Sequence, residues 1–192
     1  QTCALPIYTT GSSNTGLGRD ALRNNTIASN NTAVGFQAGY SNTTGAIVAV
    51  GAYAGYGNTT GVSNTTVGNG ALSTNSTGNY NTAVGNNALN LATSSNNTAL
   101  GFEAGKVIST GVSNTALGMQ ALQANTTASY NTAVGYQAGY TMTTNSGNTM
   151  VGYQAGYLST GGGDLFGYRA GYNNTGSGIA AFGTQALTAN TS

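Results

Sequence analysis

The stretch NTAVGYQAGY, residues 131–140, recurs with small changes along almost the whole 192-residue chain. Its constant part is a Val, Leu or Phe, then a Gly, then two variable residues, then an Ala. Aligned on that Gly, the chain holds eleven copies, 15 to 17 residues apart. The aligned glycines are Gly18, Gly35, Gly51, Gly68, Gly85, Gly101, Gly118, Gly135, Gly152, Gly167 and Gly183. So steady a period indicates a repeat architecture, which decides the fold before any local motif does.

The length of the period selects among repeat architectures. Helical-pair repeats and propeller blades need about 33 residues or more per unit. No segment shows apolar residues at the 3.6-residue spacing of an amphipathic helix. We therefore predict an all-β fold, a parallel β-solenoid (β-roll) of about eleven coils, each coil being one copy of the repeat. Coils that stack at about 4.8 Å would give a rod on the order of 50 Å long.

Stacked copies place equal residues above one another, which predicts the inside of the coil. We expect the residue before the Gly to form an inner apolar column, with Val34 over Val50 and Val67. A column of Ala, beginning at Ala21 and Ala38, would lie opposite. The Asn that opens most copies would form a ladder of amides bonded up and down the stack. These residues are Asn14, Asn31, Asn64, Asn81, Asn97, Asn114, Asn131 and Asn148.

The two positions after the Ala are filled in one of two ways. Most copies read Gly-Tyr or Leu-polar there, so one large apolar group is supplied from either position. Such a coil buries little apolar area against the ordering entropy of a Gly-rich chain, and association between chains would relieve this. We therefore predict an interaction edge. Its residues are Leu22, Tyr40, Tyr56, Leu72, Leu89, Leu122, Tyr140, Tyr157, Tyr172 and Leu187.

Composition argues against an enzyme. Only 4% of the residues are charged, the formal net charge is +1, and there is no His. The acids Asp20, Glu103 and Asp164 fall in separate copies, too far apart for paired carboxylate chemistry. We predict no catalytic, metal or cofactor site. A net charge near zero gives no footprint for nucleic acid or an anionic membrane, and no apolar run approaches the roughly 20 residues that span a bilayer.

The first seven residues, QTCALPI, contain the only Cys and the only Pro and match no copy of the repeat. The DNA string CAG ACG TGT GCT CTT CCG ATC, the end of a widely used sequencing-library adapter, translates into these seven residues. We therefore interpret residues 1–7 as a translated adapter and residues 8–192 as a single solenoid array. We expect the array to be truncated at both ends.

The register N-T-A-V-G-x-x-A resembles the repeat of the YadA-like head of trimeric autotransporter adhesins, over residues 9–192. The family's usual coil is somewhat shorter, and the extra residues here lie in polar linkers such as 42–45. The resemblance implies a left-handed parallel β-roll and a homotrimer. It also implies display on a bacterial cell surface for attachment to a host or matrix receptor, with the membrane anchor outside these residues.

Two other functions fit the same repeat. Similar Asn- and Thr-rich repeats look like parts of phage tail fibres, which would place the chain in a virion. A column of Thr could instead bind ice. Each of these Thr lies two residues before the Val, on the same side of a strand. Because we expect the Val to point inward, the Thr should point inward too, which disfavours ice binding. The Thr are Thr32, Thr65, Thr82, Thr98, Thr115, Thr132 and Thr149.

Overall fold

The computed structural model describes residues 10–190, so residues 1–7 and Cys3, interpreted above as an adapter, lie outside the described part. Within it the chain is all-β, and eleven strands form one parallel sheet in sequence order. They are β1 (Thr15–Leu17), β2 (Thr32–Val34), β3 (Ile47–Val50), β4 (Asn64–Val67), β5 (Thr82–Val84), β6 (Thr98–Leu100), β7 (Thr115–Leu117), β8 (Thr132–Val134), β9 (Thr149–Val151), β10 (Gly163–Phe166) and β12 (Ile179–Phe182). A second, two-stranded parallel sheet pairs β11 (Asn173–Asn174) with β13 (Ala189–Asn190).

The register of the large sheet follows the repeat. Thr132 pairs with Thr115 on one side and with Thr149 on the other, and Val50 lies between Val34 and Val67. Each coil therefore adds one strand beside the strand of the coil before it. This confirms the β-solenoid and the stacking of equal positions that the period predicts.

The prediction that the residue before the Gly points inward is wrong. In β8 and the residue before it, Asn131 and Ala133 are buried, whereas Thr132 and Val134 lie on the outer side and are partly exposed. Successive side chains of a strand alternate between its two faces, so only one of these pairs can be inside. The amide of Asn131 has its bonding partners between the coils, and its burial fixes the phase of the alternation. On the sheet side, the inner apolar column is therefore formed by the strand residue before the Val, as in Ala33, Ala49 and Ala83, and the column of Val34, Val50 and Val67 lies outside.

Large apolar side chains enter the core from the position after the conserved Ala. Leu22, Leu72, Leu89 and Leu122 are fully buried there. Where Gly takes this position, neighbouring coils fill the space. A Cβ added to Gly139, which has φ of 62°, would lie 3.0 Å from Leu122 Cδ2 and 2.8 Å from Met150 Sδ. Coils with Leu at this position therefore supply core volume, and the space left by Gly in other coils is filled by large apolar side chains from nearby positions.

The predicted Asn ladder is present at the start of the strands. Asn148 donates from both its backbone N–H and its Nδ2 to Oδ1 of Asn131, each at 2.9 Å. The backbone N–H of Asn131 donates in turn to Oδ1 of Asn114 at 3.0 Å. Each amide oxygen thus ties the strand start of one coil to that of the next, which confirms the role expected of these residues.

A second Asn ladder, which the sequence analysis missed, lies in the polar linkers. Asn58 donates from Nδ2 to Oδ1 of Asn42 at 3.0 Å, and Asn75 donates likewise to Asn58 at 3.0 Å. Each of these side chains also bonds its own linker, as in the 2.9 Å bond from Gly78 N–H to Asn75 Oδ1. The sequence does contain a signal for this second ladder. An Asn opens linkers such as Asn-Thr-Thr-Gly, and it recurs at the repeat period.

Candidate interaction surfaces

The first candidate surface is the outer side of the eleven-stranded sheet, which we call the outer sheet face. One of its columns is mainly Thr, with Thr65, Thr82, Thr98, Thr115, Thr132 and Thr149 in unbroken register. The other is apolar and consists of Leu17, Val34, Val50, Val67, Val84, Leu100, Leu117, Val134, Val151, Phe166 and Phe182.

The apolar column of the outer sheet face is open to solvent. Leu117 is 40% exposed and Phe182 is 67% exposed, with the rings of Phe166 and Phe182 stacked at 4.9 Å. A contiguous apolar patch that stays exposed is typical of sites that contact another molecule. Within residues 10–190 no segment covers this face, so it is a candidate for contact with another molecule.

The predicted interaction edge divides into two sets. Leu22, Leu72, Leu89 and Leu122 are buried within the coils, so their assignment to an exposed edge is corrected. Leu187, in the last coil of the sheet, is 47% exposed. The tyrosines of the predicted edge lie one position further along the repeat and are partly exposed. They are Tyr40, Tyr56, Tyr140, Tyr157 and Tyr172. The Leu is drawn inward because the coil lacks other large apolar groups, whereas the Tyr keeps its hydroxyl near water.

The tyrosines of this edge stack from coil to coil. Tyr157 packs between Tyr140 and Tyr172, with ring centroids 5.1 Å and 5.2 Å away. Tyr40 and Tyr56 form a second pair at 5.1 Å. Burial raises the pKa of Tyr157 above its ordinary value of 10.0, because the ionised ring would lose hydration there.

A further tyrosine column, not predicted, begins directly after the conserved Gly. Tyr153 stacks on Tyr136 at 5.1 Å and on Tyr168 at 5.3 Å, with ring planes 15° and 10° apart. All three are exposed by 37 to 44%. The sequence signal was an aromatic residue in the first variable position of three consecutive copies.

The second variable position forms a hydrogen-bonded column of side chains. Gln154 donates from Nε2 to Gln137 Oε1 and Gln137 to Gln120 Oε1, both at 2.9 Å, and Gln120 donates to Glu103 Oε2 at 3.1 Å. At the other end, Arg169 Nε donates to Gln154 Oε1 at 2.9 Å. The column therefore begins with an acceptor-only carboxylate and ends with a donor-only guanidinium, which sets the direction of every bond between them.

Ion pairs close the same corner within single coils. Lys106 Nζ lies 2.6 Å from Glu103 Oε1, and Arg23 lies 2.8 Å from Asp20 Oδ1, each pair three residues apart. Lys106 holds the pKa of Glu103 below its ordinary value, helped by the hydrogen bond from Gln120. Lys106 follows Gly105 at the position where the other copies with Gly have Tyr, and its ion pair with Glu103 occupies this part of the corner.

The described residues gather no constellation for catalysis. Asp20 and Glu103 are held in separate ion pairs, and Asp164 lies on the outer sheet face in β10. Asp164 borders an open groove between residues 144–148 and 177–180, with hydroxyl and amide groups but no second carboxylate. No cluster of three potential metal ligands occurs in residues 10–190. That segment also contains no helix that could cross a membrane.

The chain matches no protein-family model, and comparisons with curated proteins and with solved structures find no match either.

Proposed function

We propose that this chain is a structural and interaction segment of a surface-exposed trimeric fibre, an adhesin-like head that mediates attachment. The observation that carries the proposal is the open outer sheet face. It holds a continuous column of Val, Leu and Phe on one side of an eleven-stranded parallel sheet. Burying such a column against identical columns of other copies would remove apolar area from water at about 25 cal/mol per Å².

Identical copies suit this face because its pattern repeats along the whole stack. Side by side, parallel copies bring a column of Val and Leu against the same column at every level, and closed rotational symmetry is usual for such assemblies. Three copies is the number that the adhesin resemblance implies. The inner Asn ladders and the main-chain bonds between coils would keep each copy stiff along the fibre.

An adhesin implies display on a bacterial surface through an anchor encoded elsewhere, whereas a phage tail-fibre shaft implies a virion. Both need a stiff trimeric rod, so the outer sheet face supports them equally. The full-length gene separates them: an outer-membrane anchor domain downstream supports the adhesin. A C-terminal intramolecular chaperone, or neighbouring virion genes, would support the tail fibre instead.

Sedimentation of the purified chain tests the trimer, with Leu117→Lys as the informative variant. Leu117 points away from the core, so a Lys there should fold but place a charge on the apolar column. We expect the unaltered chain to sediment as a trimer and the variant as a monomer with unchanged circular dichroism. Leu91→Lys is the matched control, since Leu91 is 42% exposed but lies in a linker. An unaltered chain that stays monomeric at every concentration contradicts the proposal.

Ice binding is a second candidate, because the structure removes the objection to it. The Thr column lies outside the coil, with six Thr in unbroken register on the outer sheet face. Regularly spaced hydroxyl and methyl groups on such a face could order water. Thermal hysteresis of the monomeric Leu117→Lys variant and of the unaltered chain tests this. Its absence from both excludes ice binding, whereas hysteresis in a monomeric unaltered chain favours it over the fibre.

A further inference from the structure

Tyrosine is concentrated on one corner of three consecutive coils. Six of the twelve tyrosines fall there and form two stacked columns, one on each side of the corner column that contains Gln137, Gln154 and Arg169. We call this surface the tyrosine patch. Its tyrosines are Tyr136, Tyr140, Tyr153, Tyr157, Tyr168 and Tyr172.

Arg169 supplies the only charge of the tyrosine patch. Its guanidinium carbon lies 5.4 Å from the ring centre of Tyr168 and 5.1 Å from that of Tyr172, and Nε donates to Gln154. Among residues 10–190 no carboxylate pairs with it, in contrast to Arg23 and Lys106. The two rings and the Nε bond fix the group in place, while its terminal nitrogens make no hydrogen bond to a described residue.

The exposed groups of the patch define the chemistry of a partner. Each of the two columns contributes one ring per coil, and neighbouring ring centroids within a column are 5.1 to 5.3 Å apart. The rings of Tyr136, Tyr153 and Tyr168 are 37 to 44% exposed, so they are open to a partner in solution. Phenol hydroxyls both donate and accept hydrogen bonds, and an unpaired guanidinium favours a carboxylate. A chain of hydroxyl-bearing rings with a similar repeat and an occasional carboxylate matches all of these groups.

We propose that the tyrosine patch binds a glycan chain that contains acidic sugars. The glycan lies along the stack, its hydroxyls bond the phenol groups of Tyr136, Tyr153 and Tyr168, and one uronate carboxylate pairs with Arg169. An apolar protein partner is less well matched, because the described groups of the patch are phenol rings and a guanidinium rather than aliphatic side chains. This inference deepens the attachment role and rests on it for its biological setting, but the binding site belongs to one copy of the chain.

Binding of hyaluronan oligosaccharides, which carry a carboxylate on every second sugar, tests the site by calorimetry. Chitin oligosaccharides of the same length serve as the neutral comparison. We expect the unaltered chain to bind the hyaluronan oligosaccharides at least severalfold more tightly. Arg169→Gln should weaken that binding about tenfold, as the loss of one charge-assisted hydrogen bond predicts, and leave any chitin binding unchanged. Tyr153→Phe, which keeps the stack but removes a hydroxyl, should weaken binding to both oligosaccharides.

Arg19→Gln and Tyr80→Phe are the matched controls, since they make the same changes in side chains outside the patch. Equal weakening by Arg19→Gln would show that only net charge matters and overturn the proposal. So would the absence of hyaluronan binding by the unaltered chain, or undiminished binding by Arg169→Gln. If Arg169→Gln or Tyr153→Phe instead changes the sedimentation of the protein, the patch is a contact between copies and the proposal is wrong. The oligomeric state is measured on the same samples, so failure of the glycan site and failure of the trimer are distinguished.

Discussion

Gly135 lies directly after β8, where the chain turns out of the sheet with φ of 132°. Two separate constraints act on it. Residues other than Gly rarely adopt this backbone conformation. In addition, a Cβ would lie only 2.7 Å from the backbone carbon of Gly152 in the next coil and would overlap the carbonyl oxygen of that residue. The repeated Gly therefore permits both the corner and the close approach of neighbouring coils.

The chain contains a natural control that separates these two constraints. Gly183 has φ of 119°, but no atom lies within 4 Å of the position its Cβ would take. We expect Gly183→Ala to cost only the conformational strain, of about 1–3 kcal/mol. Gly135→Ala should cost clearly more, because two coils must also move apart. Denaturant unfolding of both variants checks this, and equal losses of stability would show that contact between coils plays no part.

The Asn ladder holds one residue whose bonding differs from that of its neighbours. Asn114 Nδ2 donates to Ala128 O at 2.8 Å and to Asn97 Oδ1 at 3.2 Å. Asn131 Nδ2 is buried and makes no hydrogen bond, although its Oδ1 accepts two from Asn148. The ladder depends at Asn131 on the oxygen alone, whereas at Asn114 both ends of the amide are used.

Replacing each of these amides by a carboxylate tests that difference. Both Asn114→Asp and Asn131→Asp bury a charge, but only the first replaces a donor that is in use. An ionised Asp at position 114 would face two acceptor oxygens, so we expect it to destabilise the protein by about 1–3 kcal/mol more than Asp at position 131. The difference in unfolding free energy at neutral pH measures this. A larger loss for Asn131→Asp would contradict the assigned bonding.

At the scale of the whole molecule, the repeat period predicts the solenoid and its register. The spacing from one repeated Gly to the next is enough to predict which residues pair, because each coil pairs only with its neighbours. The period does not reveal which face of a strand points inward. Val134 and Ala133 are both apolar, and the phase depends on the burial of Asn131, whose hydrogen-bond partners Asn114 and Asn148 lie in the neighbouring coils. The Leu of the predicted edge were misplaced for a similar reason, since Leu122 and Tyr140 occupy neighbouring positions of the repeat but turn in opposite directions.

The outer sheet face and the tyrosine patch could be located only partly from the sequence. The repeat predicts the Thr and Val columns themselves. It does not predict that they are exposed, because the repeat period does not determine which face of the strand points inward. The aromatic run at Tyr136, Tyr153 and Tyr168 was visible too, but only a column-by-column comparison separates it from the surrounding variation. The role proposed for Arg169 rests on its contacts with the rings of Tyr168 and Tyr172. These contacts depend on how the corner folds, so the sequence alone does not predict them.

Few groups in this chain titrate near neutral pH, which predicts a broad plateau of stability. The pKa of Glu103 is below 4.5 in the folded protein because of Lys106 and Gln120, so its contribution is present above pH 4.5 and lost as the pH falls through the folded value. The pKa of Tyr157 is raised above 10.0 by burial, so its contribution is lost only as the pH rises beyond 10.0. There is no His to titrate between them.

We therefore expect the thermal midpoint to stay constant between about pH 5 and pH 10, set by these two pKa shifts, and to fall on either side. Glu103→Gln should reduce the fall in acid, and Tyr157→Phe should reduce the fall in alkali. Asp164→Asn is the control for the acid limb, because Asp164 forms no ion pair with a described residue and its loss should leave the contribution of Glu103 intact. A slope near neutral pH, or an acid fall that Glu103→Gln leaves unchanged, would contradict the assignment. The plateau is what a fold held by amide ladders, Ala packing and main-chain bonds should show, since none of these changes charge in that range.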